Sequence, residues 1–248
     1  MSFISDQLRA LGWIYEQRDR FNIAAVNLSL GGGRYRGSCD GPYRQIFALL
    51  WQAGVAVVVA SGNGEYPDAI SRPACIPNAI AVGATGYADN VAKFSNSGSE
   101  LDLLAPGTSV VPSQRDSGIL SSALNGKFVR HGGTSMAAPH VSGAFAVIKS
   151  ALPNAKVDDV LKALTVTGVR VRDSKNGLVR PRIQIDAAIG YLRKLAARGK
   201  TPSPAPQPAR RPAQQPRPKP APKPEEQNHD GIRVFDGRET KEDGKIKW

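Results

Sequence analysis

The sequence predicts an α/β fold in which a mostly parallel β-sheet lies between helices. Near-continuous apolar runs, such as VAVVVASGNG at 55–64, are typical of strands that are buried on both faces. Helical patterns alternate with these runs through the first half of the chain. Glycines follow two of the runs, in SLGGG and SGNG. Functional residues of such sheets collect at the carboxyl ends of the strands, so we expect a site there.

The first half of the chain predicts two helices around a strand. Residues 5–20 have an amphipathic helical pattern, with Ser5 as a candidate cap. The apolar run IAAVNLSLGGG predicts a strand that ends in a glycine loop. Residues 42–53 predict a second helix, which Gly54 ends.

The second half of the chain predicts further strands, followed by helices. Strands are expected at 55–61, 79–85 and 101–110, and a strand-like RIQI at 182–185 precedes a last helix that ends near 195. Helices are expected at 134–152, which is apolar enough to be buried, and at 157–166.

The chain divides by composition into three parts. Residues 1–199 have the composition of one folded domain. Residues 200–224 form a basic, proline-rich linker, in which ten of the 24 residues from 201 onward are proline. This composition favours extended polyproline II rather than a packed core. Residues 225–248 are charged and too short to fold alone, so we expect the tail to be disordered.

The formal net charge of +12 is spread along the chain. Residues 1–199 carry 22 basic and 14 acidic side chains, and the rest carry 11 and 7. Nucleic-acid binding would require clustered charge and a recognisable module, and neither is present, so no nucleic-acid partner is expected. No apolar run reaches the 18 to 20 residues of a membrane span.

The two cysteines, Cys39 and Cys75, lie in polar loops. They predict either a disulfide, which would indicate an oxidising compartment, or two free thiols. The disulfide is our expectation. The first residues show no signal-peptide pattern.

Ser135 is the candidate nucleophile. It follows a glycine pair and begins an apolar helix, where a hydroxyl lies near the positive helix end and backbone N–H groups have no helical partner. A serine that merely caps a buried helix would look the same when taken alone. The segment GTSMAAPHVSGA, however, resembles the nucleophile motif of the subtilisin-like serine proteases. VNLSLGG, VVVASGNG, AIAVGA and LDLLAPG resemble further segments of that family, in the same order.

The resemblance, which covers about residues 5–195, implies a partial subtilisin-like peptidase domain within 1–199 and a role for each matching residue. Ser135 would attack the scissile carbonyl, and Asn63 would stabilise the oxyanion. The two walls of the substrate pocket would be Ser29, Leu30 and Gly31 on one side and Ala60, Ser61 and Gly62 on the other. The implied substrate is a polypeptide. The family also implies that calcium can bind, but no calcium or other metal site is identifiable in the sequence, and no cofactor is expected.

The sequence departs from the family at the other two members of the triad. In the family an aspartate and then a histidine precede the helix that residues 5–20 resemble, and only four residues precede it here. Asp116 and His131 occur in the family order before Ser135, but Asp116 is expected in a polar loop and His131 is not expected on a packed helix. Nothing there would fix the base. His140 is interpreted as a structural histidine of the nucleophile helix, and His229 lies in the tail.

Two function classes remain. The chain is either a subtilisin-like serine endopeptidase, inactive when isolated because the aspartate and histidine are missing, or a non-catalytic peptide-binding module tethered by its proline-rich tail. A gene fragment, a degenerate relative and one half of a split enzyme completed by a second chain are all consistent with the truncated pattern. The resemblance and the expected disulfide imply an extracytoplasmic or secreted location.

Overall fold

The computed structural model describes residues 3–108 and 118–197. By its internal contacts the chain divides into the units Met1–Pro204 and Ala205–Trp248. The described residues all belong to the first unit, and the proline-rich tail, Asp116 and His229 lie outside them. The predicted boundary at 199 and the predicted disorder of the tail therefore stay predictions. No described helix is both long and apolar enough to cross a bilayer.

The first unit is a mixed α/β fold whose main sheet has six strands, which confirms the predicted fold class. The helices are α1 (Ile4–Phe21), α2 (Arg44–Gln52), α3 (Thr134–Ala151), α4 (Val157–Thr167) and α5 (Ile185–Ala197). The strands are β1 (Ala25–Leu28), β2 (Gly32–Tyr35), β3 (Ala56–Ala60), β4 (Ile70–Arg72), β5 (Ala79–Thr85), β6 (Leu103–Pro106), β7 (Ile119–Ser122), β8 (Phe128–His131), β9 (Val169–Arg172) and β10 (Val179–Arg182).

The strand order in the main sheet is β1-β3-β5-β6-β10-β9. The first five strands are parallel neighbours, and β9 pairs antiparallel with β10 at one edge. At the other edge, β1 pairs only with β3 among the described strands. β2 pairs with β4, and β7 pairs with β8, in two small separate sheets.

Each face of the main sheet has its own apolar core, as near-continuous apolar strands require. Alternate side chains of β3 point to opposite faces. Val58 packs with α3, α4 and α5, whereas Val57 and Val59 pack with α1 and α2. Phe145 of α3 and Phe47 of α2 are fully buried anchors of the two cores. Helices therefore cover both faces of the main sheet.

Three local predictions differ from the structure. Ser5 lies inside α1 rather than at its cap, because the helix begins at Ile4 and Phe3 occupies the cap position without a side-chain hydrogen bond. The glycines after β1 do not form only a loop, because residues from Gly32 onward pair with β4. The RIQI strand is wrong except at Arg182, because β10 ends there and α5 begins at Ile185.

The predicted disulfide between Cys39 and Cys75 is present and joins residues 36 apart in sequence. The two segments also share a backbone hydrogen bond, from Cys39 N–H to Cys75 C=O at 2.8 Å. Cys75 is buried in the core on the α1 and α2 face, so the bridge ties the loop before α2 to that core.

Asp102 lies just before β6, where its Oδ2 accepts the N–H of Ala81 at 2.8 Å. Burial, together with the nearby Glu100, raises the pKa of this carboxyl to about 6, although the Ala81 N–H and Arg180 act to lower it. A folded-state pKa above the ordinary 3.8 means that the folded protein prefers the protonated acid. Stability from this group is thus present below pH 4 and is lost as the pH rises to about 6.

We expect Asp102→Asn to remove this pH dependence, because an amide cannot ionise. As the pH rises from 4 to 7, the free energy of unfolding of the variant relative to that of the parent should increase by up to about 3 kcal/mol. Urea unfolding at several pH values, followed by tryptophan fluorescence, measures the difference. A difference between variant and parent that is constant across this range would contradict the assignment.

Candidate functional site

The carboxyl ends of β1, β3 and β6 meet the N-terminus of α3. Gly107, just after β6, lies so close to the start of α3 that a Cβ there would be 2.8 Å from the carbonyl oxygen of Gly133 and 2.4 Å from Cβ of Ala84. The Gly133 N–H donates to the Gly107 carbonyl at 2.9 Å. The sheet edge predicted to hold a site is therefore the place where Ser135 lies.

Thr134 joins α3 to the loop after β3. Its N–H and its hydroxyl both donate to Oδ1 of Asn63, each at 2.9 Å, and its Oγ1 accepts the N–H of Gly62 at 3.1 Å. A backbone N–H can only donate, so the oxygen of the Asn63 amide must face Thr134. Nδ2 is thereby turned the other way, and its two protons remain available as donors.

The space beside the Asn63 amide is kept open by glycine. A Cβ built on Gly133 would lie 3.3 Å from Nδ2 of Asn63, and Gly133 has φ of +150°. This conformation is rare for residues with a side chain. The approach to Nδ2 is therefore lined by backbone.

Ser135 is the second residue of α3 and is half-buried. Its hydroxyl donates to the Ser29 carbonyl at 3.4 Å, and the Ser29 hydroxyl donates to the Ser135 carbonyl at 2.7 Å. The N–H groups in the first turn of a helix have no intrahelical acceptor. The serine hydroxyl thus lies where the positive helix end and the Asn63 amide could both act on an oxyanion.

The predicted pocket residues lie on two segments that flank Ser135. Ser29 contacts the serine directly, while Leu30 packs into the core on the α1 and α2 face. Gly31 lies against β4, because a Cβ there would be 2.9 Å from the Arg72 carbonyl. On the second segment, Ala60 and Ser61 are buried and Gly62 is held by Thr134. The structure brings together Ser29, Gly62, Asn63 and Ser135.

The histidines near Ser135 do not contact its hydroxyl. His131 is exposed in β8, where it pairs with Ile119. His140 lies on α3 with Nδ1 2.8 Å from the Met136 carbonyl, so Nδ1 carries the proton and donates. A cavity of about 330 Å³ separates the β7–β8 hairpin from α3 and is lined by Ser135, Met136 and His140. Among the described residues, no histidine forms a hydrogen bond with Ser135.

No metal site is found within 3–108 and 118–197, where no three His, Cys, Asp or Glu side chains are grouped to hold an ion. The calcium that the resemblance allows therefore has no set of ligands of this kind in the described part of the chain, and no chemistry is assigned to it.

Two residues that organise the site were not predicted. Thr134 stands beside the predicted nucleophile, but its bonds run to a loop 71 residues earlier in sequence. Asn96 is fully buried and binds the same loop through Gly64 and Ser61. Neither contact leaves a periodic or spaced pattern in the sequence that could have revealed it.

A mostly parallel α/β sheet that presents a serine at a helix N-terminus, beside an amide donor held in place, is typical of a class of serine hydrolases. The sequence comparisons identify the family. The family model of the subtilase family matches residues 4–191. The chain belongs to the subtilase family.

Individual relatives agree with the family match. The chain is 46% identical over 148 residues to the major intracellular serine protease of Bacillus subtilis, with 58% of this chain and 41% of that protein covered. It is 38% identical over 148 residues to subtilisin of Bacillus pumilus, with 57% and 49% covered. The chain therefore spans less than half the length of these curated relatives.

A solved structure of a protease from Pseudoalteromonas arctica matches with a TM-score of 0.58 at 30% identity. The match covers 68% of this chain and 51% of that protease. The fold class and the family predicted from the motifs are thus confirmed, and the chain is a subtilase with serine endopeptidase relatives.

We expect Gly62→Ala to destabilise the protein strongly, because a Cβ there would lie 2.3 Å from Nδ2 of Asn96 and 2.4 Å from Oγ of Ser71. Overpacking of this kind costs about 1 to 3 kcal/mol, in addition to the strain of placing alanine at a φ of +102°. Gly37→Ala is the matched control, since Gly37 has φ of +72° but no atom near its Cβ position. Urea unfolding of both variants measures the difference, and equal losses of stability would contradict the contact.

Proposed function

We propose that this chain carries the nucleophile and the oxyanion donors of a subtilase active site. Ser135 attacks the scissile carbonyl, and Nδ2 of Asn63 and the N–H of Ser135 stabilise the oxyanion. The observation that carries the proposal is the pair of hydrogen bonds from Thr134 to Oδ1 of Asn63, because they hold the amide by its oxygen and leave Nδ2 as the donor. An amide bound to Thr134 through Nδ2 instead would have one of its two donors occupied and would turn its acceptor oxygen away from Thr134.

The substrate is proposed to be an extended polypeptide held between two backbone walls. Ser29, Leu30 and Gly31 form one wall, and Ala60, Ser61 and Gly62 form the other. The contacts of Ser29 with Ser135 and of Gly62 with Thr134 support this, because they tie both walls to the nucleophile helix. Backbone groups in such walls can pair with an extended peptide as an added strand.

The isolated chain is proposed to have little or no protease activity. The Ser135 hydroxyl donates to a carbonyl rather than to a base, and within the described residues neither His131 nor His140 reaches it. A serine without a general base stays protonated and is a weak nucleophile. In subtilisin, removal of the triad histidine lowers turnover by about 10⁶.

The base and its carboxylate are proposed to come from a further segment of the same protein or from a complementing chain. The partial coverage of the relatives supports this, as does β1, which has one neighbour among the described strands. Parallel strands are normally covered on both faces and paired on both sides, so an added strand could pair with this edge. Reading the coding DNA before Met1 for in-frame Asp-(Ser/Thr)-Gly and His-Gly-Thr codons distinguishes the two sources.

An extracytoplasmic or secreted location is also part of the proposal. The disulfide supports it, because such bridges persist in oxidising compartments. Relatives named as extracellular proteases support it as well, although one relative is intracellular.

Labelling with a fluorophosphonate probe tests the proposed inactivity. We expect the purified chain to react at Ser135 at least about 10³-fold more slowly than an intact subtilisin, because no base removes the hydroxyl proton. Intact-mass spectrometry follows the reaction, and Ser135→Ala serves as the unreactive control. Labelling of Ser135 at the rate of the intact enzyme would overturn the proposal.

The alternative function is a peptide-binding module without catalysis, tethered by the proline-rich tail. The observation that favours it is that Ser29 and Gly62, one from each proposed wall, are bonded to the nucleophile helix beside a serine that lacks a base among the described residues. Peptide binding by Ser135→Ala, measured by calorimetry, together with no hydrolysis by the parent, supports the module. Hydrolysis by the parent that Ser135→Ala abolishes contradicts it.

A further inference from the structure

Asn96 lies in the segment between β5 and β6 and is fully buried, with a relative exposure of 0%. Its side chain forms four hydrogen bonds to other segments. Oδ1 accepts the N–H of Gly64 at 2.7 Å and that of Tyr66 at 3.2 Å. Nδ2 donates to the Ser61 carbonyl at 3.0 Å and to Oγ of Ser71 at 3.1 Å. These bonds use both donors and both lone pairs of the amide.

The four partners of Asn96 enclose Asn63 in sequence. Ser61 precedes Asn63 by two residues, while Gly64 and Tyr66 follow it. The backbone adds to this, because the N–H of Asn96 donates to the Gly62 carbonyl at 2.9 Å and its carbonyl accepts the Ser61 hydroxyl at 3.2 Å. The loop is thus fixed on both sides of Asn63 by a single buried residue.

Asn63 itself is exposed, and the side-chain hydrogen bonds that locate it run to Thr134. Bonds from one side fix the orientation of the amide, but the height of the loop above the sheet requires a second support. Asn96 supplies that support from its buried position, where a Cβ at residue 62 would lie 2.3 Å from Nδ2 of Asn96. Displacement of a donor by about 1 Å is enough to weaken oxyanion stabilisation strongly.

The segment that carries Asn96 is itself held in place. Nζ of Lys175 donates to the Ser95 carbonyl, and Nδ2 of Asn176 donates to Oγ of Ser97 at 2.9 Å. Both residues lie in the turn between β9 and β10. The N–H of Ser97 also donates to the Tyr66 carbonyl at 2.8 Å. Asn96 therefore projects from an anchored segment into the Asn63 loop.

We propose that Asn96 is a positioning residue for the oxyanion donor: it sets the height of the Asn63 loop, so that Nδ2 of Asn63 and the N–H of Ser135 point at one oxygen atom. The proposal rests on the assignment of Asn63 and Ser135 to the oxyanion site. Asn96 touches neither the substrate nor the reacting atoms and acts through the backbone of residues 61–66.

A pair of peptides tests the proposal without requiring turnover. N-acetyl-Ala-Ala-Ala-Leu with a free carboxylate can place one oxygen between the two donors, whereas the same peptide with a carboxamide end carries no negative charge there. We expect the parent chain to bind the acid about tenfold more tightly than the amide. Calorimetric titration of each peptide gives the ratio of the two dissociation constants.

Asn63→Ala should reduce this ratio to about one, and Asn96→Ala should do the same while changing the affinity for the amide peptide less than threefold. Thr85→Val is the matched control, because Thr85 Oγ1 is buried without a hydrogen-bond partner among the described residues. The control should keep the ratio of the parent. Loss of the preference in Asn63→Ala but not in Asn96→Ala would overturn the role of Asn96 alone.

No preference for the acid in the parent, or a preference that Asn63→Ala leaves intact, would overturn the oxyanion assignment and the inference with it. Amide hydrogen exchange measures the anchoring directly. Asn96→Ala should speed exchange at Gly64 and Tyr66 at least tenfold and leave Val58 and Ile80 unchanged. Unchanged exchange at Gly64 and Tyr66 would overturn the proposal.

Ser71→Ala removes one acceptor of Asn96 Nδ2 and leaves both bonds to Oδ1, so it serves where Asn96→Ala does not fold. It should retain protection at Gly64 and Tyr66 and at least half of the preference for the acid. Loss of the preference with that protection intact would show that the height of the loop does not govern the donor, and would overturn the inference.

Discussion

The link between Thr134 and the loop after β3 is the interaction on which the site depends. The N–H and the hydroxyl of Thr134 both donate to Oδ1 of Asn63, and Oγ1 of Thr134 accepts a hydrogen bond from the N–H of Gly62. The nucleophile helix and the oxyanion loop come from segments 71 residues apart, so only a direct bond between them sets their distance. Because Thr134 is fully buried, breaking one of these bonds would leave a buried polar group of Thr134 unpaired.

The sheet makes this link possible. Five parallel strands bring their carboxyl ends to one edge, and α3 packs across the sheet with its N-terminus at that edge. Glycines at 62, 107 and 133 let the backbones approach where a Cβ would meet neighbouring atoms. The loops are held by a second layer of polar contacts, of which Asn96 is the centre. The site thus combines an apolar sheet core with buried polar contacts, and both donors and both lone pairs of the Asn96 side chain form hydrogen bonds.

Much of the fold could be read from the sequence. Residues 56–60 form a strand because a β-branched apolar run suits a site buried on both faces, and Ser135 lies at the start of a helix as its motif predicts. Errors lie where tertiary pairing overrides local pattern. Gly32 and Gly33 look like a loop, yet they join a strand because β4 offers a partner. The segment RIQI alternates like a strand, but strand β10 ends at its first residue, Arg182, because the pairing with β6 stops there.

The sequence by itself determined the α/β class and the family, and it singled out Ser135 and Asn63 as candidates, because these inferences depend on local periodicity and on ordered motifs. It also indicated the disulfide between Cys39 and Cys75. Only the tertiary structure decided which atoms of Asn63 are held and which remain donors, since that depends on Thr134 approaching from another segment. Only the tertiary structure likewise shows the partners of Asn96, because a buried amide is recognised by the groups that surround it and not by its place in the chain.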